Sequence, residues 1–336
     1  MGYEDLDCSA RSGQFSLGAA DEVYAFSSEA LETPESVAVG YDGTLFVSLA
    51  LTGEIAAIDE SGQRTTVAVL PLGDPADCQG PFGGIMGALA VDWFNNLYVP
   101  VNSCDPASRG IWKVAADGAA TLVASLPADA LGNGIALWGP NLYVADTAAP
   151  RVFKAPVQGT GAAASVWAET PLLADTNPLD LVPAANGIQA FKGELYVANS
   201  AEGTIVAIPM LPPYPWKTNP VAGVPYVKYG DASKNPVFAY DEPFPGCDDF
   251  ALDFIGTIYC TTDPFQTVVS ISKYGEVETI LDASDGLDGP TAAAFGRGLD
   301  AKTLYISNAA FPFFPGTGNG PSLMSIQTPL FGYWGR

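Results

Sequence analysis

The sequence predicts an all-β fold: a single six-bladed β-propeller over residues 1–336, its ring closed by an N-terminal strand in the last blade. Three observations point there. One unit recurs six times along the chain. Its runs are four to six residues long, rich in Val, Ile, Leu and Tyr, and bounded by Gly, Asn and Asp, as strands are. An extra run, "EVYAF" at 22–26, precedes the first unit and can supply the outer strand of the sixth, which removes a sheet edge.

Each unit opens with a short apolar run: "ESVAV" at 35, "MGALAV" at 86, "NGIAL" at 133, "NGIQA" at 186, "DFALD" at 249 and "TAAAF" at 291. A turn follows, then a second run ending in a small polar residue: "LFVSL" at 45, "LYVPVN" at 97, "LYVADT" at 142, "LYVANS" at 195, "IYCTTD" at 258 and "LYISNA" at 304. The third runs are "EIAAID", "GIWKVA", "RVFKAP", "TIVAIP", "VVSISK" and "SLMSIQ". Second runs start 45 to 63 residues apart, the length of a blade. An all-β sandwich is the competing fold, and six-fold recurrence argues against it. Trp93, Trp112, Trp138 and Trp167 are expected in the blade cores. The Pro-rich "MLPPYPWKTNP" at 210–220 reads as an insertion in the fourth blade.

Composition excludes several functions. The net charge of −23 repels nucleic acid and anionic membrane. There is no histidine, so no imidazole can act as base or metal ligand. No apolar run reaches membrane-spanning length. The expected partner is a hydrophobic small molecule, and the expected state a monomer.

In a propeller the first strand of each blade lines the central channel. Loops entering first strands share one face, here called the top, with loops joining second strands to third. The residues that begin the first runs therefore converge on the axis: Glu35, Met86, Asn133, Asn186, Asp248 with Asp249, and Thr291. Three carboxylates and two amides in one place suffer repulsion and desolvation unless a cation joins them. Calcium takes six to eight oxygen ligands of these kinds, whereas softer metals prefer nitrogen or sulfur. Calcium is the expected cofactor, held by Glu35, Asn133, Asn186, Asp248 and Asp249. The bland alternative puts both asparagines in tight Asn-Gly turns and leaves the acids solvated.

With "PESVAV" in the first blade, "GNGIAL" in the third, "ANGIQA" in the fourth and "CDDFALD" in the fifth, the chain resembles the SMP-30/gluconolactonase, paraoxonase and strictosidine synthase-like six-bladed superfamily. The resemblance implies that Glu35, Asn133, Asn186 and Asp248, with Asp249 as a further oxygen donor, hold calcium.

The five cysteines show no CxxC spacing, so zinc is not expected. Cys78 enters the second blade and Cys104 follows its second strand, while Cys247 and Cys260 occupy the corresponding places in the fifth. Both pairs belong near the top, and disulfides 78–104 and 247–260 are expected, leaving Cys8 over. Bridges imply an oxidising compartment and a mature secreted chain. Free buried thiols in a cytoplasmic protein are the alternative.

Met86, Phe250 and the loop residues Phe311, Phe313 and Phe314 are expected to build an apolar pocket over the top. Three functions fit. The first choice is a non-hydrolytic cyclase of natural-product biosynthesis, because the chain resembles fungal propellers that include hetero-Diels–Alderases. Its pocket would hold two apolar partners in register, with Asp248, Asp249, Gln189 and Asn199 as the catalytic polar groups. The alternative is a calcium-dependent lactonase or esterase in which the ion polarises a carbonyl. A non-catalytic binding propeller comes third.

Overall fold

The computed structural model describes residues 19–78, 84–176, 183–210, 225–229 and 246–334. Six antiparallel sheets stand around a common axis. Blade 1 comprises Pro34–Val39, Leu45–Leu49, Glu54–Ile58 and Arg64–Val69. Blade 2 begins with an interrupted strand, Ile85–Met86 and Ala90–Val91, then runs through Leu97–Asn102, Gly110–Val114 and Ala120–Ser125. Blade 3 is Gly132–Trp138, Asn141–Asp146, Arg151–Pro156 and Ser165–Glu169. Blade 4 is Ala185–Phe191, Glu194–Asn199, Thr204–Pro209 and Tyr226–Tyr229. Blade 5 is Cys247–Leu252, Ile258–Thr262, Thr267–Ile271 and Val277–Leu281.

Blade 6 has three strands from the end of the chain, Pro290–Phe295, Thr303–Asn308 and Ser322–Gln327. Its fourth is Asp21–Ala25, paired antiparallel with Ser322–Gln327. The expected closure is therefore present, and it hides the hydrogen-bonding edge of the last sheet.

The core is divided among the blade interfaces. The described residues form six buried apolar clusters, one between each pair of neighbouring blades. The cluster joining the last blade to the first packs Leu323 and Phe26 against Val37, Val47 and Ile58. Ring closure thus rests on apolar packing as well as on strand pairing.

Two sequence expectations change here. Met86 is 1% exposed and packs among Ile55, Leu97 and Val99 between blades 1 and 2. Phe250 is fully buried between blades 4 and 5 with Tyr196, Ile205 and Ile258. Both are core residues rather than pocket walls, because their strands present those side chains to the neighbouring blade. Trp93 departs the other way: it is 62% exposed and stacks on Tyr41, with centroids 4.6 Å apart, beneath the channel. Most of the Pro-rich insertion, 211–220, lies outside the described residues, as does Cys8.

Candidate active site

The first strand of nearly every blade is irregular at its top. Pairing register shifts between Pro34 and Ser36, Gly132 and Ile135, Ala185 and Ile188, Cys247 and Phe250, and Pro290 and Ala292. The skipped residues are Glu35, Asn133, Asn186, Asp248 with Asp249, and Thr291. A bulge re-aims a side chain that regular pleating would send into the blade interface. The same irregularity, repeated around the ring, sets Asn186 against Asp248 and puts Glu35 in the field of Asp249 and Asp263, while the Thr291 hydroxyl is spent on Pro34 O and Ser307.

The Asn-Gly dipeptides are not turns; they lie inside these strands. A Cβ on Gly87 would come 2.6 Å from the Asn133 carbonyl oxygen. One on Gly134 would come 2.4 Å from that of Asn186, and one on Gly187 2.6 Å from that of Asp248. Glycine is needed because neighbouring inner strands touch backbone to backbone, and that contact draws the oxygen donors together.

Electrostatics at this point are severe. Burial, then the charges of Asp263 and Asp249, pushes Glu35 from 4.5 up to about 8. Asp248 is raised well above its ordinary value by burial, Glu35, Asp263 and Asp249, against one opposing hydrogen bond from Asn186. That bond, Asn186 Nδ2 to Asp248 Oδ1, is 2.5 Å long. Asp249 is pushed up to about 7 by burial, although the Phe250 amide, 2.8 Å away, and Gln189 both donate to it. Glu35 and Asp248 retain some accessible surface, but they lie deep enough that desolvation leads for both.

Two acids of the neighbourhood escaped the sequence reading. Asp263 follows the second strand of blade 5 and is pushed up to about 7, by burial and then by Asp288. Asp288, buried, accepts the backbone N–H groups of Thr317, Gly318 and Gly320 at 2.9, 3.1 and 2.9 Å. It anchors the top loop that carries the three phenylalanines. Nothing in "TTDPF" marked Asp263, since it belongs to no first strand; only its place at the top of a blade could have suggested it.

A hard cation fits this donor set. Every side-chain donor is oxygen, and Asn186 Oδ1 is buried without a hydrogen-bond partner. Among the described residues no group of three or more acidic, cysteine or histidine side chains is spaced to hold a metal unaided. Amide oxygens from Asn133 and Asn186 would therefore have to complete any site.

The remaining candidates separate. Asn199 is buried and spent on structure: its Nδ2 donates to the carbonyls of Leu172 and Ala174 at 3.1 and 2.9 Å. Asn102, Asp146 and Asn308, at the same place in other blades, make comparable loop contacts. The repeated polar end of the second run is thus a loop pin, not a catalytic group. Gln189 lines the channel below the carboxylates, and Asp249 faces the same space. Phe311, Phe313 and Phe314 stack on one another in the top loop, with Phe313 and Phe314 exposed. Both expected disulfides are present, Cys78–Cys104 and Cys247–Cys260, with Cα separations of 5.2 and 5.8 Å. They fit an oxidising environment. Among the described residues no helix is long and apolar enough to cross a membrane.

Comparison with solved structures places the architecture among gluconolactonase- and regucalcin-like six-bladed propellers. A protein described as a gluconolactonase superposes with a TM-score of 0.61 at 14% identity, covering 97% of this chain and 98% of its own. A luciferin-regenerating enzyme gives 0.62 at 13%, covering 94% and 98%. Regucalcin from Agrobacterium tumefaciens, described as a calcium-binding protein, gives 0.61 at 14%, covering 95% and 96%. No family model matches the sequence, and no curated protein does. At such identities the likeness establishes the fold.

Proposed function

We propose that the chain is a calcium-dependent lactonase or esterase acting at the top of the channel. One observation carries the reading: Glu35 and Asp248 are held protonated by burial and by the charges of Asp249 and Asp263, beside Asn186, whose oxygen is unpartnered and whose amide nitrogen donates to Asp248. Such a cluster is stabilised by a divalent ion. The gluconolactonase-like neighbours support the hydrolytic choice over the cyclase that the sequence placed first.

Glu35, Asn133, Asn186 and Asp248 would hold the ion, which when bound supplies polarisation of a carbonyl. Asp263 is the base. It follows the second strand of blade 5, and in the cation-free protein burial and then Asp288 raise its pKa to about 7. It takes a proton from water as the oxygen adds to the lactone carbonyl carbon. It returns that proton to the ring oxygen as the carbon–oxygen bond breaks, and the product is a hydroxy acid. Phe311, Phe313 and Phe314 would cover an apolar substrate.

The test combines metal analysis with a lactone panel. Glu35→Gln and Asp248→Asn should lose both calcium and turnover. Asp263→Asn should keep calcium and lose roughly 100-fold or more in kcat. Turnover that survives chelation refutes the reading. The cyclase keeps one support, the aromatic cluster, and loses two with Met86 and Phe250 in the core. A stereochemically controlled adduct from a quinone methide and an alkene would restore it. Secretion and a monomeric state belong to the same proposal.

A further inference from the structure

The channel contains a second chemical environment, opening on the face opposite the carboxylates. A cavity of about 480 Å³ runs down the axis from Ser36, Gln189 and Asp249 to the bottom loops. That is the size of an ordinary small-molecule site.

Its bore is built by repetition. Where the second run carries its aromatic residue, the first strand pairs with it through Ala38, Ala90, Ala136, Ala251 and Ala294 in five blades. Blade 4 alone places a polar residue there, Gln189 opposite Tyr196. All six of these first-strand residues line the cavity. The result is a tube ringed at one level by five alanines and the Gln189 amide, with Ser36 and Asp249 also in its wall and Asp92, Asn96, Lys113 and Gln158 elsewhere in the lining.

The mouth is different. Arg297, just beyond the first strand of blade 6, donates Nε to the Val39 carbonyl at 2.9 Å and lies over the Tyr41 ring at 3.9 Å. Desolvation lowers its pKa, with Tyr41 opposing. It forms no salt bridge among the described residues, although the chain carries 37 acidic side chains. The neighbouring Asp92 is engaged by the amides of Phe94 and Asn96 and by the Tyr98 hydroxyl. The C-terminal segment crosses beneath blades 5 and 6, tied by Gly332 N to Ala301 O and Tyr333 N to Leu252 O at 2.9 and 2.8 Å. It brings Trp334 to the mouth, 5.7 Å from Arg297, with its Nε1 buried and unpartnered. A guanidinium without a carboxylate and an indole donor without an acceptor therefore share one opening.

We propose that this bottom channel is a binding site for an elongated apolar monocarboxylate. Its carboxylate pairs with Arg297 and Trp334 Nε1 at the mouth, its body fills the alanine bore, and a far polar group meets Gln189. Ala294, at the level of Gln189, lies three residues before Arg297, so the two ends are roughly 10 Å apart. The far end approaches Asp249, which shares the cavity with Gln189, while the carboxylate-binding end is set by Arg297 and Trp334 and does not depend on the calcium reading.

The probe is 6-hydroxy-2-naphthoate, which carries a hydroxyl and a carboxylate at opposite ends of a flat ring system. Its comparator is 2-naphthol, which lacks the carboxylate. Binding is measured by titration calorimetry on the full chain, with thermal melts confirming that each variant is folded. The acid should bind once per chain and at least roughly 10-fold more tightly than the naphthol. Arg297→Gln should remove that preference, and Arg297→Lys should retain part of it. Ala136→Phe, which fills the bore from another blade, should abolish binding of both compounds. Glu35→Gln, at the top, should leave naphthoate binding intact, which separates this site from the proposed active site. The proposal is overturned by equal binding of acid and naphthol, by no binding at millimolar acid, or by full affinity in either Arg297→Gln or Ala136→Phe.

Discussion

Removing calcium should give the protein an unusual pH dependence. In the chelated state the carboxyls of the top cluster are harder to ionise folded than unfolded. Glu35 moves from 4.5 to about 8, and Asp249 and Asp263 move from 3.8 to about 7. Between those limits the native state binds more protons than the unfolded chain, so stability falls as pH rises. The Glu35 shift alone corresponds to roughly 5 kcal/mol in full, lost progressively from below pH 4.5 to above pH 8. Glu35 and Asp248 titrate as a coupled pair, so that figure is assigned to the pair. Between pH 5 and pH 8 roughly 3.5 kcal/mol of this is lost, which over 336 residues amounts to a fall in Tm of about 5 °C. Calcium held at the proposed site would favour the ionised cluster and should flatten or reverse the slope. The assay is a pair of thermal melts across pH 5–8, with EDTA and with millimolar calcium. A chelated Tm that rises with pH, or identical slopes in both series, refutes the reasoning.

Three further outcomes follow from the same geometry. Glu35→Gln should raise the Tm of the chelated protein at pH 8, because it removes a buried charge, while cancelling the rise that calcium produces. Reduction should destabilise the fold, since bridges spanning 26 and 13 residues each contribute roughly 3 kcal/mol, and the melt in reductant measures the loss. Asp288→Ala should cost about 2 kcal/mol or more by orphaning the amides of Thr317, Gly318 and Gly320, and should expose the loop at 311–320 to proteolysis.

Much of this architecture was legible in the sequence because a propeller repeats itself. Each blade restates the same period, so the second runs at 45, 97, 142, 195, 258 and 304 all begin strands. The placing of Glu35, Asn186 and Asp248 together followed from topology, because bulges at the heads of their first strands turn them out of the blade interfaces. What escaped was whatever depends on the direction of one side chain. Met86 and Phe250 occupy the right strands but turn into the blade interfaces. Asn199 resembles a mouth residue until its bonds to Leu172 and Ala174 are seen. Asp263 and Arg297 lie in connecting loops, where no period reports position. The unpaired Arg297 became visible only when the C-terminal segment was found crossing below the channel.

The central claim is that the carboxylate cluster binds calcium and uses it to open a lactone. The most direct measurement is proton release from a δ-lactone by chelator-stripped protein as calcium is added back. No turnover is expected without the ion, turnover should rise to a plateau at one equivalent, and Glu35→Gln should show neither. Turnover that ignores calcium, or none at any calcium concentration across the lactone panel, would contradict that claim.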